Sequence, residues 1–221
     1  MLKDNLELIF SQIKNGNNLG EPITLVGATK MVSVDTINSA ISFGLKKVGE
    51  NKVQEFNLKH EQIIGAEQHF IGHLQTNKVK YLVGQVKLIH SVDSFKLAQE
   101  IDKIAKKKNV VQNVLIEINV GGELSKSGFS MENAFDSVVD ISKSFDNVKV
   151  LGLMAMLPHS ENREFLAELC KKMRDLFDRL NVQGLNLKHL SMGMSNDYLI
   201  AIQNGSNMIR LGTSIFGKRI Y

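Results

Sequence analysis

The chain has 221 residues, 43% of them hydrophobic and 23% charged, with a formal net charge of +4. That is enough apolar sequence for one domain with a substantial core, while the basic residues are spread along the chain without the zinc-finger, homeodomain or RNP-like patterns of a nucleic-acid reader. A single cysteine, Cys170, excludes an internal disulfide framework and fits a reducing compartment; no apolar stretch is long enough to cross a bilayer, so a cytoplasmic protein that engages neither membrane nor nucleic acid is expected.

Residues 1–14 place Leu2, Leu6, Leu8 and Ile9 among Asp4 and Glu7, which reads as an amphipathic helix and not a signal peptide. Short apolar runs and helical patterns then alternate. Run 23–28 precedes a helix over 33–43, opened by Ser33 and stopped by Gly44. Run 47–49 precedes a helix over 52–64, and run 69–71 one over 78–83. Run 87–91 leads to a helix over 95–108, whose Lys103 to Lys108 stretch reads as a solvated face. Run 114–119 leads to 131–144, and run 150–154 to 162–180, where Phe165, Leu166, Leu169, Met173, Leu176, Phe177 and Leu180 recur at three and four residues. Cys170 falls in that helix and reads as a buried structural thiol. Run 189–192 precedes a helix over 197–204, and run 208–211 closes the series.

Strict alternation implies parallel strands with helical crossovers, in an open doubly wound sheet or a closed barrel. Eight runs and a leading helix favour an α/β fold of the (β/α)8 TIM-barrel type, as a single domain over residues 1–221 with an extra N-terminal helix. No linker or composition shift marks a second unit.

The working face of such a barrel is the C-terminal end of its strands. Lys30 follows the first run there, where partial desolvation favours the neutral amine needed to form an imine. A strand-end lysine can equally snorkel into water. Ser195 and the Gly212-Thr213 pair follow the last two runs, where this fold builds phosphate sites; Ser195 also fits a cap for the helix starting near Asp197, and Gly212-Thr213 an ordinary turn. An amine and an anion cradle on one rim would together suit a phosphorylated aldehyde. Residues 121–128 fail as a phosphate loop, because Ser125 stands where a Walker sequence needs glycine. His69 and His73 fail as a metal pair, being roughly 13 Å apart at about 3.3 Å per strand residue.

Six strings at predicted strand ends carry a resemblance: LVGATK (25–30), GENKVQE (49–55), HFIGHLQTNK (69–78), GGELSKSGF (121–129), LSMGMSND (190–197) and IRLGTSIFG (209–217). Together they resemble the pyridoxal phosphate homeostasis family, also called the YggS or PROSC family, whose fold is the alanine racemase N-terminal barrel. The resemblance spans nearly the whole chain. It implies pyridoxal 5'-phosphate (PLP) bound covalently as a Schiff base on Lys30, with Arg210 facing the pyridine nitrogen and Ser195, Gly212 and Thr213 on the phosphate. It implies Asn51, His73 and Met194 as pocket walls, and no metal. Gly27-Ala28-Thr29 stands where many relatives read Ala-Val-Ser, and Lys52 where an aromatic residue is common, a change at the expected pocket mouth.

The implied function is a PLP carrier in intracellular vitamin B6 homeostasis, a monomer without catalytic residues of its own, which stores the cofactor or hands it to PLP-dependent apo-enzymes. An arginine can only donate, so a pyridine nitrogen facing Arg210 stays unprotonated and the cofactor is a poor electron sink. The alternatives are an amino-acid racemase of the same barrel type, which would need an opposing acid that Tyr81, Tyr198 and Tyr221 are not placed to supply, and a Schiff-base enzyme acting on a sugar phosphate.

Overall fold

The structure, a computed structural model, describes residues 1–123 and 126–217. Eight parallel strands form a closed barrel: β1 (Thr24–Ala28), β2 (Lys47–Glu50), β3 (Glu67–Phe70), β4 (Leu88–Val92), β5 (Gln112–Asn119), β6 (Val148–Ala155), β7 (His189–Ser191) and β8 (Met208–Leu211). Each pairs with its sequence neighbour, and β8 closes on β1 with Val26 opposite Arg210. Phe129–Ser130 adds a two-residue pairing beside β5.

Helices α1 (Leu2–Ile13), α2 (Val34–Ser42), α3 (Val53–Lys59), α4 (Phe95–Lys108), α5 (Met131–Ser144), α6 (Arg163–Val182), α7 (Tyr198–Gln203) and α8 (Thr213–Phe216) surround it. Among the described residues no helix is long and apolar enough to cross a membrane. The expected helices over 95–108 and 131–144 have those bounds, because Ser94 accepts from Leu97 N and both carry clear 3.6-residue periods. The expected helix over 52–64 is α-helical only to Lys59 and ends in a 3-10 turn, His60–Gln62; the segment near 78–83 is a 3-10 helix, Thr76–Tyr81. Four-residue α8 is too short to show a period, and sequence reading passed over it.

Alternation along the strands divides the core. Outward residues such as Phe70, Ile89, Ile116, Leu153 and Leu190 pack under α4, α5 and α6, where Cys170 is fully buried and burial pushes its thiol up to about 12. Leu25, Ile209 and Leu211 pack under α1 and α2 through Leu6, Ile9 and Ile37. Inward-facing Val26, Ile71, Leu88, Leu115, Met154 and Met208 form a small apolar plug. Two residues along from members of that plug, and so also inward, stand His69, His90, Glu117 and Arg210, all buried. The barrel interior is therefore mixed, with His69 level with Leu88, Glu117 with Met154 and Arg210 with Val26 across neighbouring strands.

Candidate functional site

A cleft of about 550 Å³ opens at the C-terminal ends of the strands. Its walls come from the loops after β1 (Lys30), β2 (Asn51), β6 (Met156, Pro158, His159), β7 (Met194, Ser195) and β8 (Gly212, Thr213, Ser214), with Arg210 also lining it. A larger depression, about 790 Å³, lies outside the barrel beside α4, lined by Thr76, Lys96, Lys103 and Phe145 among others. None of its residues is buried, so it offers no desolvated polar group, and the strand-end cleft is the candidate site.

Lys30 is half-buried, and its neighbours are held from outside the barrel wall. Thr29 Oγ1 lies 3.0 Å from Glu50 Oε2, and the Met31 N–H donates to Glu55 Oε2 at 2.8 Å. Lys59 Nζ joins the pieces, reaching Glu55 Oε2 at 2.7 Å, Glu50 Oε2 at 3.2 Å and Thr29 O at 3.2 Å. Met31 sits at φ 59, a left-handed turn that redirects the chain after the strand. Glu50 Oε1 also accepts from Asn51 N at 2.7 Å, so one buried carboxylate holds the Thr29 hydroxyl on one side of the cleft's edge and the Asn51 backbone on the other. A Cβ at Gly72 would lie 2.0 Å from Asn51 O, so glycine there permits the close approach that sets Asn51.

Arg210 is held from inside. Its Nη1 donates to Ser191 Oγ at 2.6 Å and Ser191 O at 2.9 Å, and Nη2 to Ala155 O at 3.0 Å. Burial brings the guanidinium down to about 10, with the Glu117 and Asp197 carboxyls acting against that. Glu117 is pushed up to about 7, chiefly by burial and then by Asp93, with Arg210 and His73 opposing. Below Arg210, His90 Nδ1 is 3.3 Å from Ser191 Oγ, and His90 Nε2 is 3.0 Å from His69 Nδ1. Burial holds His69 down to about 3 and His90 well below the usual imidazole range.

At the opposite end Ser195 Oγ does not cap the helix after it. Asp197 stands at α7's entry without a side-chain cap bond, its Oδ1 accepting instead from Met194 N in the preceding loop, while Ser195 Oγ accepts from Ser214 N at 3.2 Å and ties the two last loops together. Gly193 at φ +101 lets its carbonyl accept from Arg210 N at 3.0 Å, linking that loop to β8.

Lys30, Asn51, Met194, Ser195, Arg210, Gly212 and Thr213 therefore converge on one cleft, as the sequence implied, and His73 does not. Its ring is exposed and pairs with Asp93 Oδ2 at 3.2 Å, with Ser127 Oγ 3.3 Å from the same nitrogen, because the loop after β3 turns it away. Lys52 is exposed outside the cleft lining, and Gly27 makes room for Leu45, whose Cδ2 would lie 2.7 Å from a Cβ there. Lys126 is engaged by Glu123 and by Leu157 O at 3.3 Å; Leu124 and Ser125 of that loop, and Tyr221, lie outside the described residues. Of the other tyrosines, Tyr81 is exposed, Tyr198 Oη bonds Gln12 at 2.6 Å, and neither lines the cleft. Among the described residues no group of three metal-ligating side chains gathers. Sequence reading missed the roles of Glu50, Lys59, His90 and Ser191; the period of two in β4 and β7, which turns His90 and Ser191 inward, was the available signal.

Comparison with known proteins agrees with this geometry. Residues 27–219 match the family model described as alanine racemase, N-terminal domain. A pyridoxal phosphate homeostasis protein of Aquifex aeolicus is 49% identical over 200 residues, 89% of this chain and 87% of that protein. The structure of PipY from Synechococcus elongatus with PLP bound superposes with a TM-score of 0.86 at 28% identity, over 98% of this chain and 100% of that one. An alanine racemase of Clostridium difficile, 18% identical with a TM-score of 0.79, shares the barrel over 99% of this chain and 56% of its own.

Proposed function

The chain belongs to the alanine racemase N-terminal domain family and within it to the pyridoxal phosphate homeostasis proteins, and from that premise we propose that it binds PLP in the strand-end cleft and serves intracellular supply of that cofactor. The observation that carries the proposal is the meeting of a half-buried amine, a buried guanidinium and a hydroxyl-and-glycine rim in one cleft. These donors fit the group: Lys30 would hold the aldehyde covalently, Arg210 would face the ring nitrogen, and Ser195, Gly212 and Thr213 would take the phosphate. Asn51 and Met194 would form the walls, and exposed His73 falls outside this set. When bound, PLP supplies an aldehyde that exchanges reversibly with primary amines.

The chain's own residues favour holding over turnover. Arg210 only donates, so it cannot deliver a proton to a nitrogen that faces it as an acceptor without giving up its own charge. Among the described residues no tyrosine reaches the cleft to act as an opposing acid. Both points support a carrier, with residues 1–221 acting as one cytoplasmic, monomeric unit that stores PLP or passes it to apo-enzymes. The racemase reading has the shared barrel behind it, and at 18% identity that speaks for fold alone.

The test is to load the purified protein with PLP and look for a visible band that borohydride bleaches. Incubation with L-alanine in deuterated water should then leave the α-position and its stereochemistry unchanged. A protein that stays colourless would remove the PLP reading, and rapid α-exchange would replace the carrier with a racemase.

A further inference from the structure

We propose that Ser191 and His90 are positioning residues for Arg210, forming with His69 a one-way hydrogen-bond chain through the barrel that fixes the guanidinium and the tautomer of both rings. The consequence for the cofactor rests on the PLP reading above; the chain itself belongs to the cofactor-free barrel.

The direction follows from what each group can do. Arginine has no lone pair to offer, so at 2.6 Å Ser191 Oγ must accept from Nη1. The hydroxyl proton then needs an acceptor, and His90 Nδ1 stands 3.3 Å away. A neutral His90 that accepts at Nδ1 carries its hydrogen on Nε2, which is 3.0 Å from His69 Nδ1. His69 in turn carries its hydrogen on Nε2, on the side of Glu67 Oε2 at 3.9 Å. The reverse orientation would leave the Ser191 hydroxyl proton without an acceptor among the described residues. Three of the five guanidinium N–H groups are used by Ser191 and Ala155, leaving the Nε–H and one Nη2–H for the cleft that Arg210 lines.

The chain needs neutral rings, and its surroundings supply them. Burial is the main cause for both histidines; Lys47 from β2 adds to it for His69, and His69 and Arg210 add to it for His90. Glu67 on β3 pulls the other way on His69, while His189 on β7 opposes its protonation, and Glu117 on β5 faces Arg210. One always-donating residue at the cleft floor thus sets the hydrogen positions of three groups beneath it.

Two measurements test the chain. In cofactor-free protein labelled with [15N]histidine, assigned with His69→Gln, both rings should show the Nε2–H tautomer and no titration between about pH 5 and 8. Hydrogen on Nδ1 of either ring, or titration in that window, would overturn the proposal. In the second, Ser191→Ala should weaken PLP roughly ten- to a hundredfold, as expected for a lost hydrogen bond to a charged group. Affinity for inorganic phosphate should stay within about twofold, and Ser191→Thr should recover most of the PLP binding. Equal loss for both ligands, or no loss for either, would contradict a positioning role. If Ser191→Ala does not fold, the tautomers of the unaltered protein still decide. Wild-type protein that binds phosphate but no PLP would end the proposed function while leaving the tautomer result intact.

Discussion

The two anchors of the cleft are held by different physics. Lys30 is braced from outside the barrel wall by charges, Glu50, Lys59 and Glu55, whereas Arg210 is braced from inside by neutral groups, Ser191, His90 and His69. The Lys59 and Glu55 side chains keep 15% and 20% of their surface exposed and Glu50 between them 5%, while His90 and Ser191 keep none. An ion pair needs some access to water or full compensation, because desolvating two charges costs more than their attraction returns unless every lone pair is satisfied. Where water cannot follow, the barrel uses neutral groups ordered by one guanidinium.

Breaking the outer brace should produce the largest effect. Lys59→Met removes the cation from the nearly buried Glu50 carboxylate and should destabilise the fold by about 3 kcal/mol, read from urea unfolding. Adding Glu50→Gln should return part of that loss, since the stranded charge goes with it. A double variant no better than the single would show that the brace is not electrostatic.

A smaller loss is expected at the proposed phosphate end, which neither brace touches. Thr213→Val should weaken PLP by about 1.5–3 kcal/mol, the range for a hydrogen bond to a charged group. Unphosphorylated pyridoxal should be nearly unaffected. Equal weakening of both would place the phosphate elsewhere.

The smallest effect separates the two braces by pH. His69 and His90 have folded values below the unfolded imidazole, so their contribution is complete above about 6.5 and is lost as pH falls toward the folded values, about 3 for His69. Burial raises Glu55, but Lys59 and the Met31 N–H outweigh it and hold the carboxyl below its ordinary value, so its contribution starts to fade only below about 4.5. Glu117, raised to about 7, has the opposite sign: it favours the folded state at low pH and loses that as pH rises through 7. His69→Gln should therefore flatten the stability profile between about pH 6.5 and 5 by at most about 1.4 kcal/mol per unit, and Glu55→Gln should alter it only below that window. A profile unchanged by His69→Gln would mean that the ring titrates in the folded barrel as it does in the unfolded chain.

The same contrast explains what could be read from sequence. Helices over 95–108 and 131–144 declare themselves because an apolar stripe at helical spacing is a local property, and strand-end strings such as LVGATK put Lys30 at the rim. Both braces are non-local. Lys59 reads as one more charge on a helix face, and only the fold brings it to Glu50 and Thr29. Local spacing sets His69 beside His73 and rejects the two as a metal pair, while the actual partner of His69 is His90, on the next strand and 21 residues away. The family resemblance implies His73 as a pocket wall, but its loop points it at Asp93. Ser195 reads locally as a helix cap, and its real bond crosses to Ser214.

The most direct measurement for the whole account is to reduce the PLP-loaded protein with borohydride, digest it, and locate the pyridoxyl group by mass spectrometry. The account predicts one modified residue, Lys30, and no adduct in Lys30→Ala, even where that variant still binds PLP through its phosphate. A pyridoxyl group on Lys126 or Lys59, persisting when Lys30 is replaced, would contradict it.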